Sequence, residues 1–133
     1  MKRKVCVDFD GTLATEYWEN DAGGYDPGKV GWPVLAMVER VRRWLARGDD
    51  VFVLTARVNP SHGAEVEASK AAIEGFCLEQ FGRVLEVTCM KDSKMDWLYD
   101  DKAVGVEKNT GRILGITEED LESTGDAIGD FLR

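Results

Sequence analysis

Histidine is nearly absent from this chain of 133 residues. His62 stands alone, which argues against a histidine-based zinc site and against a histidine-dependent triad. Cysteine is scarce as well. Cys6, Cys77 and Cys89 are odd in number, scattered and without a C-x-x-C pair, so they read as reduced thiols of a cytosolic protein. Cys6 and Cys89 sit in strand-like runs and are expected to fill core. No apolar run is long enough for a membrane span. Met1-Lys2-Arg3-Lys4 is basic, but the run behind it is too short for a signal peptide, so a cytoplasmic location and no membrane partner are expected. No G-x-x-x-x-G-K-[ST] occurs, which excludes a P-loop kinase, and there is neither a repeat nor a low-complexity tract. Positive charge is in the minority: 17 Lys and Arg face 25 Asp and Glu, for a net charge of -8. That balance repels nucleic acid and acidic surfaces at long range, and so disfavours tight nucleic-acid binding.

What is present is an ordinary globular composition, 44% hydrophobic and 32% charged. Residues 1–133 are expected to form one domain with a core that needs no disulfide or structural metal. Residues 5–13 read V-C-V-D-F-D-G-T-L. Val5, Cys6 and Val7 suit a buried strand, but Asp8, Asp10 and Gly11 do not suit a core. In an extended chain Asp8 and Asp10 would point the same way at the carboxyl end of that strand, where open α/β sheets hold their ligands. Paired carboxylates there suit a hard cation such as magnesium. An aspartate there can also act as a nucleophile toward phosphorus.

The first strand is expected over residues 4–9. Residues 14–32 carry Asn20-Asp21, Gly23-Gly24 and Asp26-Pro27-Gly28 together with Tyr17, Trp18, Tyr25 and Trp32, and read as a long ordered loop or small hairpin. The aromatics are expected to pin this loop to the core. Pro33 opens a helix whose apolar face is Val34, Met37, Val38, Val41, Trp44 and Leu45. Glu39, Arg40, Arg42, Arg43 and Arg47 form its solvated side, and Gly48 stops it. Residues 50–55 form a second strand, apolar enough to be central and parallel. A helix follows from Ser61 or His62 to Phe81, with Val66, Ala71, Ile73, Phe76, Cys77 and Leu78 inward. Further strands are expected at 83–88, 97–99 and 103–106. A turn at Asn109-Thr110-Gly111 leads to a return at 112–114. Thr117-Glu118-Glu119-Asp120 reads as a helix cap, before a helix docking through Leu121, Ile128, Phe131 and Leu132.

Alternating strands and helices imply right-handed crossovers and a mostly parallel sheet. Asp8 and Asp10, Thr55, Lys91, and Asp100 with Asp101 then all fall at carboxyl ends of strands and converge on one edge. Taken singly, Thr55 is a strand-ending threonine, Lys91 a loop lysine and Asp100-Asp101 a turn. Jointly they can perform one reaction on a phosphate ester. Asp8 attacks phosphorus, while Asp10 protonates the leaving group and later activates water. Thr55 and Lys91 balance charge on the phosphoryl oxygens. Asp8, Asp10 and Asp100 supply oxygens to magnesium, and the amides around Gly11 and Thr12 face the phosphate.

D-F-D-G-T-L at 8–13, V-F-V-L-T at 51–55, Lys91 and L-Y-D-D at 98–101 resemble, in this order, the four motifs of the haloacid dehalogenase (HAD) superfamily of phosphohydrolases. Lys94 competes with Lys91 for the third. The resemblance covers roughly the first hundred residues. It implies a Rossmann-like three-layer fold with the first strand at the switch point. It also implies Asp8 as nucleophile and ligand of Mg2+, and Asp10 as acid/base whose carbonyl also binds metal. Asp100 becomes a direct metal ligand and Asp101 a supporting one. The gap at 14–32 holds only a flap loop and the gap after Thr55 one helix, so the resemblance is to a member without a separate cap domain, open to small or macromolecular phosphorylated substrates. T-A-R at 55–57 resembles small nucleotidase-like and polynucleotide-phosphatase-like members and assigns Arg57 to the substrate. Three alternatives stand beside this reading. A phosphotransferase differs only in the acceptor, and a catalytically idle relative would keep the site as a phosphate- or metal-binding module. A receiver domain would place its acidic pair first, with the phosphorylated aspartate, threonine and lysine following, whereas here a second acidic pair, Asp100-Asp101, comes last, after Thr55 and Lys91.

Overall fold

A computed structural model describes residues 2–18, 22–117 and 119–122 of the chain. The chain divides into two compact units, Met1–Asp101 and Lys102–Arg133, where the sequence suggests one domain.

The first unit is mixed α/β, a four-stranded all-parallel sheet flanked by helices. Its strands are β1 (Lys4–Val7), β2 (Asp50–Leu54), β3 (Glu86–Thr88) and β4 (Trp97–Tyr99), in the order β3-β2-β1-β4. Helix α1 (Leu35–Ala46) joins β1 to β2, and α2 (Glu65–Phe81) lies between β2 and β3. The chain steps outward from β1 to β3, then returns to set β4 on the other side of β1. The order therefore reverses beside β1, and the register pairs Val7 with both Val53 and Tyr99. In open α/β sheets such a reversal opens a crevice at the carboxyl ends of the strands.

The two outward crossovers step the same way, and right-handed crossovers that do so share one face of the sheet. The core agrees. Val5, Val7, Val51 and Val53 cluster with Val38, Val41 and Trp44 of α1 and with Ile73, Phe76 and Cys77 of α2. Phe9 packs edge-on against Phe76 at 5.0 Å. On the opposite face, residues 89–96 carry the chain from β3 back to β4. Asp96 accepts from the Lys4 amide at 2.8 Å, and Asp92 pairs with the Lys4 ammonium.

Several boundaries differ from the sequence reading for local reasons. Pro33 does not begin α1. It forms an antiparallel bridge with Ala14, while Val34 donates to the Leu13 carbonyl, so the helix starts two residues later. Residues 61 and 62 belong to a separate 3-10 turn, Pro60–His62, capped by Asn59, which accepts from the Ser61 amide at 2.9 Å. In α2 the buried stripe is Ser69, Ile73, Phe76 and Cys77, a single i, i+4, i+7, i+8 row. Leu78, 52% exposed, and Ala71 fall off that row and face outward. Gly82 ends the helix in the left-handed conformation as expected.

The second unit contains an antiparallel hairpin of β5 (Gly105–Val106) and β6 (Ile113–Leu114). Arg112 pairs with Glu107 across it, and Asn109 takes φ 67° in the turn. Residues 119–122 are helical, and Thr117 accepts from the Asp120 amide at 3.0 Å, the cap that the sequence suggests. Ile128, Phe131 and Leu132 lie outside the described residues. Among the described residues no helix is long and apolar enough to cross a membrane.

Burial pushes the Cys77 thiol up to about 11, and burial also raises Cys6, while Cys89 remains partly accessible. Thiolates react and buried thiols do not. With a maleimide at pH 8, Cys89 should be labelled first and Cys6 and Cys77 only on unfolding, as peptide mass mapping would read.

Candidate functional site

The site is built where β1 stops. Regular pairing ends at Val7, and residues 9–14 close a tight turn in which Phe9 accepts from the amides of Thr12, Leu13 and Ala14. The two-residue alternation that places Asp8 and Asp10 together therefore fails at Phe9. The two carboxylates part company. Asp8 turns toward the end of β4, its amide donating to the Tyr99 carbonyl at 2.8 Å. Asp10 turns toward the end of β2 and meets Arg57.

Asp8, Asp100 and Asp101 form one cluster, with carboxylate oxygens within 4.8 Å of one another. Thr12 binds it together. Its hydroxyl accepts from the Asp101 amide at 3.0 Å and lies 3.1 Å from Asp101 Oδ1 and 3.4 Å from Asp8 Oδ2. Gly11 makes the close approach sterically feasible. Its φ is +87°, and a Cβ there would stand 2.7 Å from Asp101 Oδ2. Burial, the hydrogen bond to Asp101 and the charge of Asp100 push the Asp8 carboxyl up to about 7. Three hard oxygen donors so close together, at the cost of mutual repulsion, are a donor set that could hold a divalent cation such as magnesium.

Asp10 is not in that cluster. Arg57 Nε donates to its Oδ2 at 2.7 Å and Nη2 to its Oδ1 at 2.8 Å, a bidentate pair. The same guanidinium donates through Nη1 to the carbonyls of Lys29 at 2.9 Å and Pro27 at 3.3 Å. It is stacked among Tyr25, Phe9 and Trp18, with ring centroids 5.1, 5.7 and 6.0 Å away. Arg57 is 5% exposed. The sequence assigns it to substrate, but its donors are occupied by Asp10 and by the loop of residues 14–32. That loop is closed at its base, where Thr15 donates to the Trp32 carbonyl and its hydroxyl accepts from the Trp32 amide. Trp18 packs on Arg57, on Tyr17 and on Tyr25, but Tyr25, which also stacks on Arg57, is 43% exposed and Trp32 is 81% exposed, so the aromatics pin the loop to Arg57 rather than to the core.

One further expectation is altered. The amides of Gly11 and Thr12 are engaged within the turn, by the carbonyls of Ala14 at 2.8 Å and Phe9 at 3.2 Å, and so do not form a phosphate cradle. Lys91 lies on the exposed 89–96 connection beyond β3, as does Lys94. Thr55 does stand at the end of β2, 3% exposed, and its hydroxyl oxygen accepts from the Arg57 amide at 3.2 Å. The structure thus brings together Asp8, Thr12, Asp100 and Asp101, and separately Asp10, Thr55 and Arg57. The aromatic surround of Arg57 and the Thr12 bridge to Asp101 were missed from the sequence. T-A-R at 55–57 and Gly11 directly after D-F-D were the available signals.

Compared with protein-family models, curated proteins and solved structures, the chain finds no match among any of the three.

The raised Asp8 carboxyl has a thermodynamic consequence. The folded state holds a proton that the unfolded state releases near 3.8. This contribution to stability is complete below that value and is lost as pH rises through about 7. In chelator, the urea midpoint should therefore fall between pH 5 and 8, with a shallower slope in Asp8→Asn. Magnesium at pH 8 should restore the midpoint by binding the folded state. An identical slope in the variant would refute the assignment.

Proposed function

We propose that this chain is a magnesium-dependent phosphohydrolase of the HAD type, working through Asp8. The observation that carries the reading is the position of Asp8. It ends a central parallel strand at the point where strand order reverses, with Asp100 and Asp101 beside it from β4. The sheet order supports a Rossmann-like frame. Among the described residues, the loop at 14–32 and the single α-helix between β2 and β3 support the absence of a separate cap domain. The three-layer arrangement belongs to the same proposal.

Asp8, Asp100 and Asp101 would hold the magnesium ion. When bound, the ion supplies positive charge that keeps Asp8 ionised and screens it from the phosphoryl oxygens. An Asp8 oxygen attacks phosphorus and the bond to the ester oxygen breaks, leaving a phosphate on Asp8. The Thr55 hydroxyl, at the adjacent strand end, donates to a phosphoryl oxygen. To act as acid, Asp10 would have to give up its pair with Arg57 and take a proton from solvent, which it would pass to the departing alkoxide before taking one from the water that cleaves the acyl phosphate. Lys91 reaches the phosphate only if the 89–96 connection brings it inward. The substrate is a phosphorylated small molecule or the phosphorylated end of a macromolecule.

Hydrolysis of p-nitrophenyl phosphate tests the proposal. Turnover should require magnesium and fall by about a thousandfold or more in Asp8→Asn. Asp100→Asn should weaken the response to magnesium concentration. Turnover that survives Asp8→Asn would refute Asp8 as nucleophile. Magnesium binding without turnover on any phosphate ester would favour the idle metal-binding module.

A further inference from the structure

Asp8, Asp100 and Asp101 offer carboxylate oxygens within 4.8 Å of one another, and like charges so placed repel. Their convergence needs a restraint of its own. Asp8 is fixed by its strand end, since its amide donates to the Tyr99 carbonyl at 2.8 Å. Asp101 is less constrained by the sheet. It lies two residues past the end of β4, beyond the ladder with β1, and its side chain is exposed. What catches it is Thr12, 89 positions earlier. The Asp101 amide donates to the Thr12 hydroxyl oxygen at 3.0 Å. The hydroxyl in turn donates to Asp101 Oδ1, 3.1 Å away, or to Asp8 Oδ2, 3.4 Å away. One hydroxyl carries one hydrogen, so only one of the two carboxylates receives it at a time.

Thr12 is itself held firmly. It is buried, its amide donates to the Phe9 carbonyl at 3.2 Å, and Leu13 beside it is wholly buried. A β-branched side chain on such a turn has little freedom about χ1. Gly11 supplies a second contact, with the Asp101 carboxylate lying so near its backbone that a Cβ there would stand 2.7 Å from Oδ2. The turn after β1 thus grips Asp101 by its amide and by its carboxylate together.

We propose that Thr12 is a positioning residue for the metal centre, its hydroxyl presetting the Asp101 carboxylate beside Asp8 so that a divalent cation meets an assembled donor set. The inference rests on the metal site of the hydrolase reading and not on the chemistry at phosphorus. Without the hydroxyl, the Asp101 carboxylate turns out to water, which relieves the repulsion. The cation must then gather that carboxylate as it binds, and the ordering cost is read as weaker affinity. Loss of a group that orients a metal ligand typically lowers affinity by about ten- to a hundredfold. A purely structural threonine would behave otherwise. Its loss would lower stability equally with and without the cation and leave the affinity of the folded chain unchanged.

The experiment titrates magnesium chloride calorimetrically at pH 8 into native protein, Thr12→Ser, Thr12→Val, Asp101→Asn and the Thr12→Val, Asp101→Asn double variant. Urea unfolding of each is followed in chelator and in magnesium, which also shows that the variants fold, and Thr12→Ala replaces Thr12→Val if the latter does not. Thr12→Val keeps the shape of the side chain but removes its donor and acceptor, and should bind magnesium about tenfold or more weakly. Thr12→Ser restores the hydroxyl and should bind close to native. In Asp101→Asn the further change to valine should cost much less than in the native chain, because the two residues act as a pair. The gain in urea midpoint on adding magnesium should shrink in Thr12→Val and return in Thr12→Ser. Equal affinity in native protein and Thr12→Val overturns the proposal, as does serine binding as poorly as valine, or native protein that binds no magnesium. Turnover of p-nitrophenyl phosphate by native protein separates the two readings. Affinity set by Thr12 without turnover defeats the hydrolase reading alone, and magnesium-dependent turnover with equal affinities defeats the positioning role alone.

Discussion

One buried cation organises the carboxyl edge of the sheet. Arg57 loses nearly all of its hydration, and the structure compensates with a bidentate carboxylate, two main-chain carbonyls and three aromatic rings. Removing one partner of such a pair costs about 3–5 kcal/mol, because the other charge is left buried alone. Through this group the turn after β1, the turn after β2 and the 14–32 loop become one construction. Without it the loop would hold to the core mainly through Tyr25, Tyr17 and its closure at Thr15 and Trp32.

The same requirement separates two carboxylates that are close in sequence. Asp10 is neutralised by Arg57, while Asp8 gathers with Asp100 and Asp101 and is held well above the usual carboxylate range. Two aspartates two positions apart thus stand in different surroundings, one ion-paired and one among like charges. The tight turn through Gly11 makes the division geometrically available. Its left-handed backbone and missing Cβ admit the Asp101 carboxylate, and Thr12 links that carboxylate to Asp8.

Much of the frame was readable in advance, for identifiable reasons. The strand at 97–99 was placed at its observed limits, and β1 and β2 to within two residues, because short β-branched and aromatic runs bounded by polar residues have little else to form. The helix stop at Gly82 follows from backbone freedom at glycine. Convergence of Asp8, Thr55 and Asp100 on one edge followed from parallel pairing alone, since every parallel strand ends on the same side. The errors cluster where a local rule met a tertiary demand. Pro33 suits a helix start, but the Ala14 bridge claimed it. The alternation that joined Asp10 to Asp8 holds only while the chain is extended, and the chain turns at Phe9.

By itself, the sequence determined the alternation of strands and helices, the apolar stripe of α1, and the set of carboxylates that reach the sheet's carboxyl edge. Those follow from periodicity, burial and the geometry of parallel pairing, all of which are local or nearly so. Tertiary structure alone decided which carboxylate meets which partner. Arg57 finds Asp10 47 positions away and the loop carbonyls 28 and 30 positions away, and Thr12 finds Asp101 across 89. A charge chooses its partner by distance and desolvation in the folded chain, and neither quantity exists until the chain has folded.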